Sequence, residues 1–559
     1  MQSVLQSKSG KEESIPEKSK GNPVKHKLLS IVSAALLSLV LVACSGSKSD
    51  EDNILLVGNG AEPEALDPHI ITGVPEHHIL TALFQGLVGM DSGDLSPIPG
   101  MAERWEVSDD LLVYTFYLRE DAKWSNGDSL TAKDFLYGWK RILMPNIASE
   151  YGYMLYSMKN AREFAEGEIT DFSDVGAKAL NERTVQVTLN HPTPYFLQLH
   201  IHYSWFPLHQ ATIEKFGAMD ERITPWTRPG NIVSNGPFVL TRWEPNNVIE
   251  TRKNDYYWDK ESVKLNGVNF YPVPNEQTEE RMFRAGELHM TENVHLSRVE
   301  FYKKENPHLI RLDPWIGSYF YRVNTKRKPF GDKRVRRALA MAIDRDSMTT
   351  HIIKGGETSA GTLTPPNVNG YTAEANIPFD PEGARALLAE AGYPDGKDFP
   401  KFAILYNTAE KHKIIAVTIQ QMWRENLGIN VTLENQDWKV YLTSTSNASM
   451  DYDVARAGWI GDFVDPINFL ECFTTGNGNN RTGWSNLEYD KYIEESVSAP
   501  TQDDRYALFQ KAEAILAEEV PIIPIYHYTR PFLMAPEVKN FKGNLLGYVP
   551  YHTLYLEAP

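Results

Sequence analysis

Residues 402–433 read FAILYNTAEKHKIIAVTIQQMWRENLGINVTL. The run Phe402–Tyr406 is short and apolar, as a strand should be. Ile415, Ile419 and Met422 then share one face of a helix. Gly428 supplies the stop, because glycine accepts the left-handed conformation that ends a helix. Ile429–Leu433 alternates as a further strand. Strand, helix and strand in this order predict a mixed α/β fold.

The same rhythm extends outward. Val335, Ala338, Leu339, Ala342 and Ile343 make one helical stripe. Asp380-Pro381 starts a helix carrying Ala384, Leu387, Leu388 and Ala391, and Gly392 stops it. Leu508, Ala512, Ile515 and Leu516 mark a last helix that leads into the strand-like Ile522–Tyr528. Upstream, Asn53–Val57 reads as a first strand, and Leu112–Leu118 and Thr184–Leu189 alternate as half-buried strands. Thr131 and Asp134 have capping-box spacing ahead of Phe135, Trp139, Ile142 and Leu143. No internal repeat is present.

At 559 residues the chain outgrows a single core, so at least two lobes are expected. The formal charge of −17 argues against a nucleic-acid partner. Lys18, Lys20, Lys25 and Lys27 precede an apolar run, Leu28–Ala43, that is short for a membrane span and fits a signal-peptide core. It ends in Leu41-Val42-Ala43-Cys44, which resembles the lipobox of bacterial lipoproteins. Residues 1–43 are therefore expected to be removed, Cys44 to carry lipid, and residues up to Asp52 to act as a tether. The polar tail before Lys25 is long for a signal peptide, so translation is expected to start near Val24. Cys472 is the only other cysteine, so a lipidated Cys44 leaves no intramolecular disulfide.

Catalytic and metal motifs such as HExxH, GxSxG, a P-loop and paired CxxC are missing from the sequence, so neither an enzyme nor a cofactor or metal site is expected. His77, His78, His200, His202 and His209 lack a completing ligand set and read as packed or surface residues. Tyr151, Tyr153, Trp315, Tyr319, Tyr321, Trp438, Trp459 and Trp484 sit in loop-like contexts and suggest pocket walls. In Gly458–Pro466 (GWIGDFVDP), Asp462 and Asp465 are open to four readings: an acid/base pair, a metal site, a receptor for a cation, or a turn.

Several blocks together carry a resemblance: EPEALDPHIITGVP (Glu62–Pro75), DAKWSNGDSLTAKDFLYGWKRIL (Asp121–Leu143), SNGPFVLTRW (Ser234–Trp243), KPFGDKRVRRALAMAIDRD (Lys328–Asp346) and ARAGWIGDFVDPINFL (Ala455–Leu470). From about residue 53 to 556 the chain resembles the oligopeptide-binding proteins of bacterial ABC importers, the large type 5 solute receptors. The resemblance implies a two-lobed α/β fold of the periplasmic-binding-protein type (class II, three-domain form), with mixed sheets and a ligand cleft between the lobes. Transferred borders give domain I as 50–84, 229–315 and 530–559, domain II as 85–228 and domain III as 316–529.

In such receptors a peptide lies extended in the cleft. Asp462 matches the acid that meets its amine, which leaves Asp465 as a turn or helix-capping residue. Gly458, Ile460 and Thr72-Gly73-Val74 flank the peptide backbone, and Trp438 and Trp459 line side-chain pockets. Arg456 and His412 match cations that meet the terminal carboxylate, and Lys354 is a weaker match of that kind. A cysteine pair that bridges in some relatives falls at Gly317 and Ile460, and a pocket arginine falls in Leu442–Met450, which has no basic residue.

The implied partners are oligopeptides, permease subunits of the importer, and the membrane through the lipid. A monomer on the outer face of the cell membrane is expected. Capture of one peptide pheromone for signalling is the alternative reading, and an extracellular peptide hydrolase a remote one. Asp462 and its context disfavour a receptor for nickel, sugars or antibiotics.

Overall fold

The computed structural model describes residues 53–557. The expected signal segment, Cys44 and the tether lie outside these residues. Among the described residues no helix is long and apolar enough to cross a membrane.

Three sheets organise the chain. The first is assembled from distant segments: Ile54–Gly58 pairs in parallel with Gly267–Tyr271, followed by antiparallel Val248–Lys253 and Phe238–Glu244. The intervening excursion folds into a second, antiparallel sheet of Ala102–Val107, Val113–Leu118, Thr184–Thr188 and Ala177–Asn181. Val113–Leu118 buries every second residue, as its alternation requires. Beside it the helix Ala132–Leu143 buries Phe135, Trp139, Ile142 and Leu143. Its start is fixed by the Thr131 amide donating to Asp134 Oδ2 at 2.6 Å.

The third sheet has six strands, ordered Thr358–Ser359, Ile522–Leu533, Ile310–Val323, Val454–Ile460, Ala403–Asn407 and Thr432–Gln436. The last three run parallel, and the others pair antiparallel. Helix Glu410–Leu427 crosses between Ala403–Asn407 and Thr432–Gln436, and Gly428 caps it at φ 69°. Its buried stripe is Ile415, Ala416, Ile419, Trp423 and Leu427 rather than one ending on Met422. Steps of four keep Trp423 in line with Ile415 and Ile419, and its Nε1 donates to Leu339 O at 2.8 Å. The strand also begins later than the expected Ile429. Ile429 and Val431 are buried in the core below the helix before the ladder starts, and Thr432–Gln436 is a mostly exposed, polar edge strand. In the last helix, Gln502–Glu519, the buried face is Phe509, Ala512, Glu513 and Leu516, while Leu508 and Ile515 are half-buried.

Two long strands, Ile310–Val323 and Ile522–Leu533, pair from Ile310↔Leu533 to Arg322↔Ile522. Their ladder is interrupted between Pro314 and Ser318. On one side of the interruption Met534 bridges to Met290, which in turn bridges to Val57 of the first sheet. On the other side lies the six-stranded sheet with its own core, including Tyr319, Leu339, Ile404, Trp423 and Ile523.

Candidate functional site

Where the first two sheets meet the third, the surface folds around a partly open cavity of about 280 Å³. One water needs only ~10–15 Å³ of such space, so this is a chamber and not a packing defect. Thr72, Gly73 and Val74 line it from one side. His412, Trp438, Arg456, Gly458, Trp459, Ile460 and Asp462 line it from the other. Lys354 is not among the lining residues; it is exposed just after the turn Thr349–Ile353. Lys411 lines the chamber instead, held by Glu357 at 2.6 Å.

The strand Val454–Ile460 positions most of these groups. On one edge it pairs with Ile310–Val323 from Val323↔Val454 to Gly317↔Ile460. On the other edge Ala403–Asn407 pairs only with Val454 and Ala455. Beyond Arg456, whose carbonyl accepts from the Tyr441 hydroxyl, no strand pairs with that second edge as far as Ile460. Gly317 and Ile460 are direct register partners, and a Cβ on Gly317 would lie 2.5 Å from Ile460 Cδ1. The isoleucine occupies the space a larger residue at 317 would need. Gly73 plays a similar part between the two sides, because a Cβ there would lie 2.9 Å from Trp438 Cζ2.

At one end of the chamber stands Asp462. Its side chain is 14% exposed, and Oδ1 lies 3.6 Å from His202 Nε2, beyond hydrogen-bond reach. Oδ2 is buried without a partner. Burial pushes the carboxyl up to about 7, with the nearby Asn468 side chain acting the other way. Asn468 also fixes the loop, accepting from the Asp462 amide at 3.1 Å and from Trp459 Nε1 at 3.0 Å. Burial, and then neighbouring His77, hold His202 well below its usual range. His202 is therefore neutral and supplies no countercharge. Asp462 is a buried acid waiting for a cation.

Asp465 is built differently. It is 1% exposed and forks with Arg505 at 2.7 and 2.8 Å, while its Oδ1 also accepts from the Ile467 amide at 3.0 Å. Both oxygens are spoken for, so of the open readings of this residue a structural one holds.

Farther along the strand Arg456 faces Tyr528 Oη at 2.9 Å and Asn407 Oδ1 at 3.3 Å, and lies 4.9 Å over the Tyr319 ring. Its Nε is buried without a partner, and no carboxylate pairs with it among the described residues. His412 sits beside Tyr319, its ring nitrogen 3.4 Å from the hydroxyl. Burial, Arg456 and Lys411 all depress its pKa, so it too is neutral. Trp438 Nε1 donates to buried Glu76 at 3.3 Å across the two sides. Among the other aromatics, Tyr151 and Trp315 line the chamber, Tyr153 lines a neighbouring groove, and Tyr319, Tyr321 and Trp484 are buried. His77, His78 and His202 line the chamber, while His200 is wholly buried in the core.

The sequence reading missed Arg322 and Arg481, which also line the chamber. The position of Arg322 between Tyr321 and Val323, at the end of an otherwise uncharged run from Trp315, was its only signal.

A partly open chamber between two lobes, with unpartnered charges of both signs on its walls, defines a protein that binds a solute. A model of the bacterial extracellular solute-binding proteins, family 5, matches residues 96–481. The chain is 37% identical over 531 residues to the periplasmic oligopeptide-binding protein OppA of Salmonella typhimurium, covering 92% of this chain and 96% of that protein. It superposes on Haemophilus influenzae OppA in complex with RPPGFSPFR with a TM-score of 0.84 at 35% identity, over 90% of this chain and 98% of the other. With the Escherichia coli murein tripeptide binding protein MppA the TM-score is 0.85 at 34% identity, over 90% and 98%. With the unliganded open form of MppA it falls to 0.60 at the same identity, over 91% and 98%. This chain belongs to family 5 of the bacterial extracellular solute-binding proteins and has their two-lobed α/β fold. Its lobes are set as in the peptide complex and not as in the open form.

Proposed function

We propose that this chain captures oligopeptides in the interlobe chamber and delivers them to the permease of an ABC importer. The observation that carries the reading is the pairing of Asp462, a buried carboxylate with no cation, with a strand whose edge is unpaired from Ala457 to Ile460. An extended peptide supplies what both lack: an ammonium for Asp462, and backbone donors and acceptors for the unpaired edge. Arg456 then serves the terminal carboxylate, with neutral His412 as a second donor. Asp462 and Arg456 are separated by a span of at most roughly 20 Å of extended chain, which suits a peptide of a few residues. Similarity to the oligopeptide-binding protein OppA of Salmonella typhimurium and to Haemophilus influenzae OppA in its peptide complex supports the same reading.

Closure in this reading is a hinge motion at the interruption near Pro314. Domains I (50–84, 229–315, 530–559), II (85–228) and III (316–529) move as two lobes, with I and II together. Lipid on Cys44 holds the monomer at the outer face of the cell membrane. We assign the cleft no bond-breaking step. Mass spectrometry of small molecules released on denaturing the purified chain tests the reading. A heterogeneous set of peptides is expected. One dominant peptide would favour a signalling receptor, and release of no peptide would overturn the proposal.

A further inference from the structure

Besides Arg530, which pairs with Glu292 at 3.5 Å, two arginines outside the amine and carboxylate sites face the chamber. Arg322 and Arg481 are 7% and 4% exposed, and the Nε of each is buried with no partner. They come from distant segments that are stitched together: the Thr325 amide donates to Thr482 O at 3.0 Å, and Asn324 Nδ2 donates to Tyr452 O at 3.0 Å. Tyr452 Oη in turn donates to Arg481 O. Arg481 pairs with Glu150 and donates to Thr72 Oγ1 at 3.2 Å, so it touches both lobes. Arg322 forms no ion pair and no side-chain hydrogen bond among the described residues. Burial and then Arg481 depress its pKa, while nearby Tyr441, Tyr452 and Glu150 favour its charge only partly. Arg481 is thus answered by Glu150, with Glu64 also near it, whereas Arg322 has no carboxylate in contact.

We propose that Arg322 and Arg481 form an anion subsite that selects peptides carrying an aspartate or glutamate side chain. A guanidinium fork is built to take a carboxylate through two parallel bonds. Arg481, already anchored by Glu150, holds the position, and Arg322 supplies the free fork. Tyr441 closes the same region, its hydroxyl donating to Arg456 O. The chamber therefore offers three charged stations: Asp462 for the amine, Arg456 for the terminal carboxylate and Arg322 for an acidic side chain. This rests on the peptide-binding reading above and adds a sequence preference to it.

The test is calorimetry on the full mature chain with alanine tetrapeptides that carry Glu or Gln at each position in turn, each with a free or an amidated C-terminus. At one position Glu is expected to bind ~10–100-fold tighter than Gln, whichever form the C-terminus takes. In Arg322→Gln the Glu-to-Gln ratio at that position falls to about 1, and in Arg322→Lys it is intermediate. Equal affinity for Glu and Gln at every position in the wild type overturns the inference, as does a preference that survives in Arg322→Gln. If the Arg322-dependent affinity is lost on amidation and not on Glu→Gln, the anion is the terminal carboxylate and the side-chain assignment fails. Should no tetrapeptide bind at all, the peptide-binding reading itself falls. Circular dichroism of both variants checks that they are folded.

Discussion

The loop Gly461–Pro466 holds two aspartates in opposite states. Asp465 faces the packed interior and is answered by the Arg505 fork and the Ile467 amide. Asp462 faces the chamber, where its nearest basic group is a neutral imidazole at 3.6 Å. Both are taken out of water, and only one is compensated. A carboxylate buried with its partner holds the fold together. One buried without a partner is a liability to the empty closed protein and becomes useful when a ligand brings the missing charge.

Breaking the compensated pair should have the largest effect. Asp465→Ala leaves the Arg505 guanidinium, 12% exposed at its side chain, without a countercharge. A loss of about 3–5 kcal/mol in stability is expected, read as a lower denaturation midpoint. Asp462→Ala should do the reverse: peptide affinity drops ~10²-fold or more, from a 2–5 kcal/mol cost of leaving the ligand amine unpaired, while the midpoint of the unliganded protein does not fall. Calorimetry and thermal denaturation on the two variants separate the roles. Matching losses of stability in both would erase the contrast.

The contrast sharpens with pH. The carboxyl of Asp462 is raised from 3.8 to about 7 in the closed fold. A raised acid contributes stability that is fully present below pH 4 and is lost as pH climbs through 7. Unliganded wild type should therefore lose up to about 2–4 kcal/mol relative to Asp462→Asn between pH 4 and 8. Denaturation of both proteins across that range shows it, and parallel curves would remove the cause assigned here. The smallest effect belongs to Tyr528→Phe, which deletes the hydroxyl that accepts from Arg456 at 2.9 Å. About 0.5–1.5 kcal/mol of peptide affinity should go, roughly 3–10-fold, in a calorimetric titration.

Much of this was legible in the chain, and what was not has a common reason. Local signals carried far: the Thr131–Asp134 cap, the alternation of Val113–Leu118, and Gly428 ending its helix at φ 69°. Asp462 stood out only through the resemblance carried by Ala455–Leu470, since its own stretch left four readings open; the structure adds its buried, unpartnered Oδ2. Lys354 was the cation the resemblance offered, but it is exposed and Lys411 lines the chamber, since the fold between them decides which one turns inward. Arg322, Arg481 and Glu150 were invisible as a cluster because no sequence pattern links a strand end, a loop and the opposite lobe. Groups that meet only when the lobes close leave their trace in the closed structure alone.

In the proposed reading Asp462 receives the amine of a peptide. A calorimetric cycle tests it most directly: one peptide, with a free or an acetylated amine, titrated into wild type and Asp462→Ala. Acetylation is expected to cost the wild type ~10²-fold or more and the variant little, because in the variant the partner is already gone. Equal losses in the two proteins, or no loss in either, would contradict the assignment.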